Sequence, residues 1–317
     1  MKRVGKRMSI VFLMIFGMIV LIISFSYMNH QIQLSREDEW LKPIGDFVEV
    51  NGHNMHVYTE GTGEKTLVFM SGGGTSSPVL DFKTLYTMLS DQYKIVVVEK
   101  AGYGFSEITD SNRDIDTILS ETREALIKSE VEGPYILFPH SMSGIEALYW
   151  AQLYPKEVEA IVGLDMAVPA VYEDLNIPIT VIRLGEMAAN MGLTRWVPNL
   201  SVSEALKHDI LTEEESDLYQ TILYRRTSTK NMVNEVSQIK ENAKRVEKEQ
   251  LPNVPMLLFS SNGQGTGWDE RSWIDFQEEF IRRHGNSKLI KYNSTHYIHH
   301  INFEEIAEES KEFINGL

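Results

Sequence analysis

The order of apolar and polar positions along the chain predicts strands and helices in alternation. Phe47-Val48-Glu49-Val50 and His53 to Thr59 flank Asn51-Gly52, a dipeptide suited to a two-residue hairpin turn. Short apolar runs follow at Thr66 to Met70, Lys94 to Glu99, Tyr135 to Phe138, Val158 to Leu164, Pro255 to Ser260 and Lys288 to Tyr292. Runs so uniformly apolar read as parallel strands buried on both faces. Most intervals between them carry helical spacing, as in Thr117 to Ser129 and Met142 to Tyr154. The expected fold class is α/β, a mostly parallel twisted sheet with helices on both faces. One interval breaks the rhythm. From about Ala167 to Leu251 there is little strand signal but several helical stretches: Leu184 to Met191, Glu213 to Arg225 and the charged, amphipathic Val233 to Glu249. The expected organisation is a core of residues 47–166 and 252–317 interrupted by a helical insertion, 167–251.

The N-terminus follows another pattern. Ile10 to Tyr27 is an almost unbroken apolar run, about long enough to cross a bilayer. Lys2, Arg3, Lys6 and Arg7 precede it, and Arg36-Glu37-Asp38-Glu39 follows. The positive-inside rule then expects a cytoplasmic basic tail (1–8), a single-pass signal anchor (9–28), a linker (29–46) and an extracytoplasmic remainder. A cleaved signal peptide is the rival, but the run does not end in a convincing A-x-A-like cleavage site. Apart from the four basic residues of the tail, 26 Lys and Arg face 45 Asp and Glu, a formal charge of −19. Such a surface repels phosphate backbones, so nucleic acid is not an expected partner. The chain has no cysteine, which excludes disulfides, thiolate metal sites and a cysteine nucleophile.

The candidate chemistry centres on His140-Ser141-Met142-Ser143-Gly144, between the apolar run ending at Phe138 and a helical segment. A serine at a sharp strand-to-helix turn has its hydroxyl raised above the sheet, and the first amides of the helix are free to bind an oxyanion. The turn needs compact residues two before and two after the nucleophile. Ser141 has Pro139 and Ser143 there, whereas Ser143 would have Ser141 and the β-branched Ile145, so Ser141 is the expected nucleophile. A serine needs a base and a carboxylate to orient that base. His296 follows the last strand, on the rim where open α/β sheets keep their ligands. His299 and His300 are expected as solvated residues at a helix start. Gly72-Gly73-Gly74 follows Thr66 to Met70, and the amides of Gly73 and Met142 would form a two-donor oxyanion hole. For the acid, Asp165 directly follows the strand Val158 to Leu164. Asp269 is the alternative, but it also begins a helix and N-capping would account for it.

These segments resemble the α/β-hydrolase family in its single-domain, cap-bearing form. The likeness spans residues 47 to 317. Leu67 to Gly73 is similar to the family's strand and oxyanion turn, with Ser71 in place of a histidine. Val96 to Ser106 is similar to its D-x-x-G-x-G-x-S stretch, with Glu99 replacing aspartate. His140 to Gly144 matches the elbow, and Thr295-His296-Tyr297 the catalytic-histidine turn. In most members the acid sits just past the strand equivalent to Pro255–Ser260, where this chain reads Ser261-Asn262-Gly263-Gln264. Some members carry it one strand earlier, which corresponds to Asp165. The resemblance implies a serine hydrolase acting on a small-molecule carboxylic ester or amide without cofactor or metal. A proline iminopeptidase-like aminopeptidase and a non-catalytic binding domain of the same fold are the alternatives. Tyr172, Met187, Met191, Trp196 and Tyr224 are candidate apolar lining from the insertion.

Overall fold

The computed structural model describes residues 2–197, 204–207 and 211–317. Met1 of the basic tail and residues 198–203 and 208–210 of the insertion lie outside the described residues. Eight strands form one sheet: β1 (Asp46–Val50), β2 (His53–Glu60), β3 (Thr66–Met70), β4 (Lys94–Glu99), β5 (Tyr135–Pro139), β6 (Val158–Leu164), β7 (Met256–Ser260) and β8 (Ser287–Lys291). Their spatial order is β1-β2-β4-β3-β5-β6-β7-β8. The first hairpin is antiparallel, with Asn51 at φ 50° and Gly52 at φ 79° in its turn. From β4 to β8 every pairing is parallel. The central strands bury alternate residues in two separate cores. Val68, Met70, Val96, Val98 and Leu137 join one, with the helices Ile115–Lys128 and Ser143–Leu153. Leu67, Phe69, Ile95, Val97, Ile136 and Phe138 join the other, with the C-terminal helix Phe303–Asn315. Two buried faces are why these strands read as continuous apolar runs.

Between β6 and β7 the described residues form helices and turns but no strand. It holds Ile179–Asn190, the short turns Leu193–Trp196 and Glu204–Lys207, Glu213–Arg226 and Lys230–Lys248. The last of these is sewn to the core by side chains rather than by strand pairing. Thr229 Oγ1 donates to Gly102 O, Asn231 Oδ1 accepts from the Thr109 amide, and Asn242 bridges the Ile115 amide and Arg113 O. Beneath it Lys100, which follows β4, lies between Glu146 of the core and Glu235 of the insertion, all three buried. One cation faces two carboxylates there. Burial raises the Glu146 carboxyl, Lys100 opposes, Glu235 adds repulsion, and the balance lies at about 7.

A carboxyl raised in the folded state stabilises the fold fully below its unfolded value and loses that contribution as pH rises through the folded one. Between the ordinary value of 4.5 and about 7, this group should withdraw on the order of 3 kcal/mol of stability. Glu146→Gln has no such titration. Melts of detergent-solubilised full-length protein should show the wild type losing stability relative to Glu146→Gln from pH 5 to pH 7.5. Parallel pH profiles would contradict the assignment.

The N-terminal helix is longer than its apolar run. It spans Lys2–Glu37 without a break, so residues 29–37, expected as linker, are helical. Its segment Arg7–Glu37 is long and apolar enough to cross a membrane, and the apolar window is not buried by the rest of the chain. Helix persists to Glu37 because the insertion grips it. Arg195 donates to both Glu37 carboxylate oxygens at 2.7 and 3.0 Å and to His30 Nδ1 at 2.8 Å, while Arg225 reaches Leu34 O and Asp38.

Candidate active site

The sheet's connections run one way from β3 to β4 and back the other way from β4 to β5, which opens a crevice at the carboxyl ends of β3 and β5. Met70 pairs with Pro139, so the turns beginning at Ser71 and His140 leave the sheet side by side. Gly72 has to be glycine, because a Cβ there would lie 2.8 Å from Ser141 Cβ. A Cβ on Gly73 would lie 2.8 Å from Met142 Cε, so the glycine turn packs against the side chain of the residue that follows Ser141. Among the described residues, neither the Gly73 nor the Met142 amide donates to another backbone carbonyl.

Ser141 has φ 55°, a left-handed conformation that is costly for a side chain with a Cβ. Its surroundings enforce it. The Ser141 carbonyl accepts from the amides of Gly144 (3.0 Å) and Ala167 (2.7 Å), and the His140 amide donates to Met70 O (3.0 Å). Gly144 allows this crossing, since a Cβ would lie 2.3 Å from Ala167 O. Ser143 is fully buried, with its hydroxyl 2.6 Å from Met70 O and 2.9 Å from His140 O. That hydroxyl is committed to the backbone, and of the two serines it is Ser141 that lines the cleft.

His296 reaches the crevice from beyond β8, its amide held by Gln264 O at 2.9 Å. Nε2 of its ring accepts from the Ser141 hydroxyl at 2.8 Å, and Nδ1–H donates to Asp165 Oδ2 at 2.5 Å. Asp165 is fully buried at the end of β6 with φ 49°, and its other oxygen accepts from the Ser261 amide and from Trp273 Nε1, both at 2.7 Å. Asp269 is elsewhere. Its exposed carboxylate caps the helix Glu270–Arg283 by accepting from the Ser272 amide and hydroxyl.

Three features escaped the sequence. Trp273 was one aromatic among many on an amphipathic helix, and nothing local marked its indole as a partner of Asp165. His140 lies under His296 and donates Nε2–H to His296 O at 3.2 Å. Burial, together with the neighbouring His299 and His296, pushes its pKa well below the ordinary value, so it stays neutral there. Most unlike the expectation, His299 and His300 are not solvated. Both are fully buried around Asp81, with His299 Nε2 3.1 Å from Asp81 Oδ2 and His300 Nε2 3.4 Å from Oδ1. Burial and the adjacent His300 push His299 down to about 4. Burial alone would raise the Asp81 carboxyl, but the two histidines hold it well below the carboxylate range. The short helix Ile298–Ile301 turns inward onto that carboxylate, a long-range contact invisible to local periodicity.

The cleft above Ser141 encloses about 170 Å³ and is walled by Gly73, Val171, Tyr172, Leu175, Trp273 and Tyr297, among others. Of the aromatic and methionine side chains expected as lining, Tyr172 alone is there. Met187 and Trp196 are exposed, and Met191, Trp196 and Tyr224 belong to the region around the N-terminal helix and its clamp. Glu99, standing where the family has aspartate, organises its own turn: buried, it accepts from the Phe105 amide at 2.7 Å and faces His56 Nδ1 at 3.0 Å.

A parallel sheet of this order, with a crevice walled by its strand-end loops and an insertion after β6, defines an α/β-hydrolase. The chain belongs to the serine aminopeptidase S33 family, whose model matches residues 62–305. It is 35% identical over 322 residues to the uncharacterized protein YbdG of Bacillus subtilis (strain 168), covering 99% of each chain. Solved structures share the fold. The epoxide hydrolase VrEH1 of Vigna radiata is 19% identical with a TM-score of 0.64, over 86% of this chain and 97% of that one. A putative lipase of Acinetobacter baumannii AYE is 15% identical with a TM-score of 0.65, over 90% and 96%.

Proposed function

We propose that the chain is a serine hydrolase that cleaves a carboxylic ester through an acyl-enzyme. The observation that carries this reading is the unbroken hydrogen-bond chain from Ser141 through His296 to Asp165. Ser141 Oγ attacks the carbonyl carbon as His296 Nε2 takes its proton, and Asp165 holds the imidazole in the tautomer with hydrogen on Nδ1. The Gly73 and Met142 amides receive the negative charge that develops on the carbonyl oxygen. His296 then protonates the departing alcohol. Water, activated in the same way, releases the acid and restores Ser141.

The family description raises aminopeptidase activity as a second reading. That reaction calls for a carboxylate to bind a substrate α-ammonium. Among the described residues, none of those lining the cleft carries one, and Glu146 and Glu235 are engaged by Lys100. Glu99, where the family has aspartate, holds its turn, and Pro139 ends β5 in register with Met70, so neither residue calls for a non-catalytic domain. The N-terminal helix is read as a single-pass anchor with its basic end in the cytoplasm and the hydrolase domain outside. Wild-type protein is expected to react with a fluorophosphonate probe and to turn over p-nitrophenyl esters faster than aminoacyl-p-nitroanilides. The reverse preference favours the peptidase, and a wild type inert to the probe refutes the serine mechanism.

A further inference from the structure

The insertion touches the N-terminal helix at two levels. Nearer the domain the contacts are polar: Arg195 and Arg225 on His30, Glu37 and Asp38. Deeper they become apolar. Trp196 packs on Phe25 with ring centroids 6.0 Å apart and donates Nε1–H to Ser26 Oγ at 3.1 Å, while Ser26 Oγ donates to Met191 O. Gly192, at φ 72°, permits the approach, since a Cβ there would lie 2.4 Å from His30 Cβ. Below Trp196 an open groove of about 420 Å³ is lined by Met18, Leu21, Ile22 and Phe25 of the helix and by Leu193 and Trp196 of the insertion.

That groove has one consistent occupant. Met18 to Phe25 belong to the apolar run Ile10–Tyr27, so wherever they are immersed in hydrocarbon, Leu193 and Trp196 are immersed beside them. The helix is continuous from Lys2 to Glu37, and Arg195 and Arg225 hold its polar end against the insertion. Trp196 touches the run near its outer end, the depth at which tryptophan gathers in membranes. The helix Ile179–Asn190, which leads directly into Leu193–Trp196, leaves Val181, Leu184 and Met187 64%, 59% and 53% exposed. Exposed apolar residues aligned over successive turns, beside a helix of spanning length, form an interfacial face. This face begins four residues beyond Leu175, which lines the mouth of the cleft.

We propose that residues 179–197 are seated in the outer leaflet against the chain's own spanning helix, with lipid acyl chain in the groove, and that the serine site draws its ester from that leaflet. The substrate class is an amphiphile presented at the membrane surface. This rests on the anchor and serine-hydrolase readings above, and the test separates failure of the hydrolase reading from failure of the membrane seat.

Full-length protein is reconstituted in phosphatidylglycerol/phosphatidylcholine vesicles with and without bromine-labelled acyl chains. Bromolipid should quench part of the tryptophan emission, and Trp196→Phe should remove most of the quenched part. In parallel, Leu184→Asp with Met187→Asp should lower turnover of a long-chain p-nitrophenyl ester embedded in the vesicles by about tenfold, through the cost of carrying charge into the leaflet, and leave p-nitrophenyl acetate turnover unchanged. Quenching unaffected by Trp196→Phe overturns the membrane seat. An equal loss on both esters, or no loss on either, overturns the leaflet as substrate source. Wild-type protein inert to both esters, yet quenched at Trp196, overturns the hydrolase reading and upholds the seat.

Discussion

Ser141→Ala is expected to lower kcat for a carboxylic ester by about ten-thousandfold or more, with little change in stability. The size of the effect follows from the hydrogen-bond chain. His296 Nε2 is bonded to the Ser141 hydroxyl, and Ser143 is already bound to Met70 O and His140 O. A neighbouring serine therefore has no route to substitute. Alanine retains the side-chain carbon that makes φ 55° unfavourable, so the fold keeps both the strain and the contacts that impose it. The residual rate should be that of a cleft still offering the Gly73 and Met142 amides. The measurement pairs steady-state kinetics with fluorophosphonate labelling and a thermal melt. Labelling that persists in a well-folded Ser141→Ala protein would refute the assignment.

Asp165→Asn should cost about as much, on the order of ten-thousandfold in kcat, by a different route. The carbonyl of the introduced asparagine would stay with the Ser261 amide and Trp273 Nε1, both of which need an acceptor. Its amino group would then face His296 Nδ1 and oblige that nitrogen to accept. The imidazole proton moves to Nε2, opposite Ser141, and the ring can no longer take the serine proton. Alanine is the poorer test, because it strands two buried donors at about 1–3 kcal/mol each. Asp269→Asn supplies the contrast. Losing part of a helix cap costs about 1 kcal/mol of stability or less, with kcat intact. A large loss of kcat at Asp269 and none at Asp165 would reverse the two roles.

How much of this was legible in the chain differs between elements. All six parallel strands fall within a residue or so of their apolar runs; in the central strands two-sided burial leaves few polar positions to obscure them, while the edge strand β8 keeps exposed lysines. The sharp turn at Ser141 was legible because an elbow is local: a strand end, a compact residue on either side, and a helix. Asp165 was only half legible. Its place after β6 could be read, but the choice against Asp269 depended on which carboxylate the loop beyond β8 brings within reach of His296. Asp269 declared itself through Ser272, three residues away. Trp273 and Asp165 are separated by 108 positions, and nothing in either neighbourhood announces the other.

The histidines after His296 show where local reading fails. In sequence, His299 and His300 looked like polar residues at an exposed helix start. The fold instead turns both rings onto Asp81, more than two hundred positions earlier. The N-terminal helix gives a parallel case. Its apolar run was evident, but its extension to Glu37 was not, because Arg195 and Arg225 supply the partners for its polar end.

The sequence by itself determined the alternation of strands and helices, the apolar N-terminal run, the elbow and the rim on which a partner histidine had to lie. Each is written in periodicity or in contacts spanning a few residues. Only the tertiary structure decided which carboxylate faces His296, where the buried charges find their counterions, and how the insertion grips the N-terminal helix. Those outcomes depend on pairings between residues tens to hundreds of positions apart. Local propensity does not encode such pairings; the desolvation of buried polar groups enforces them once the chain has folded.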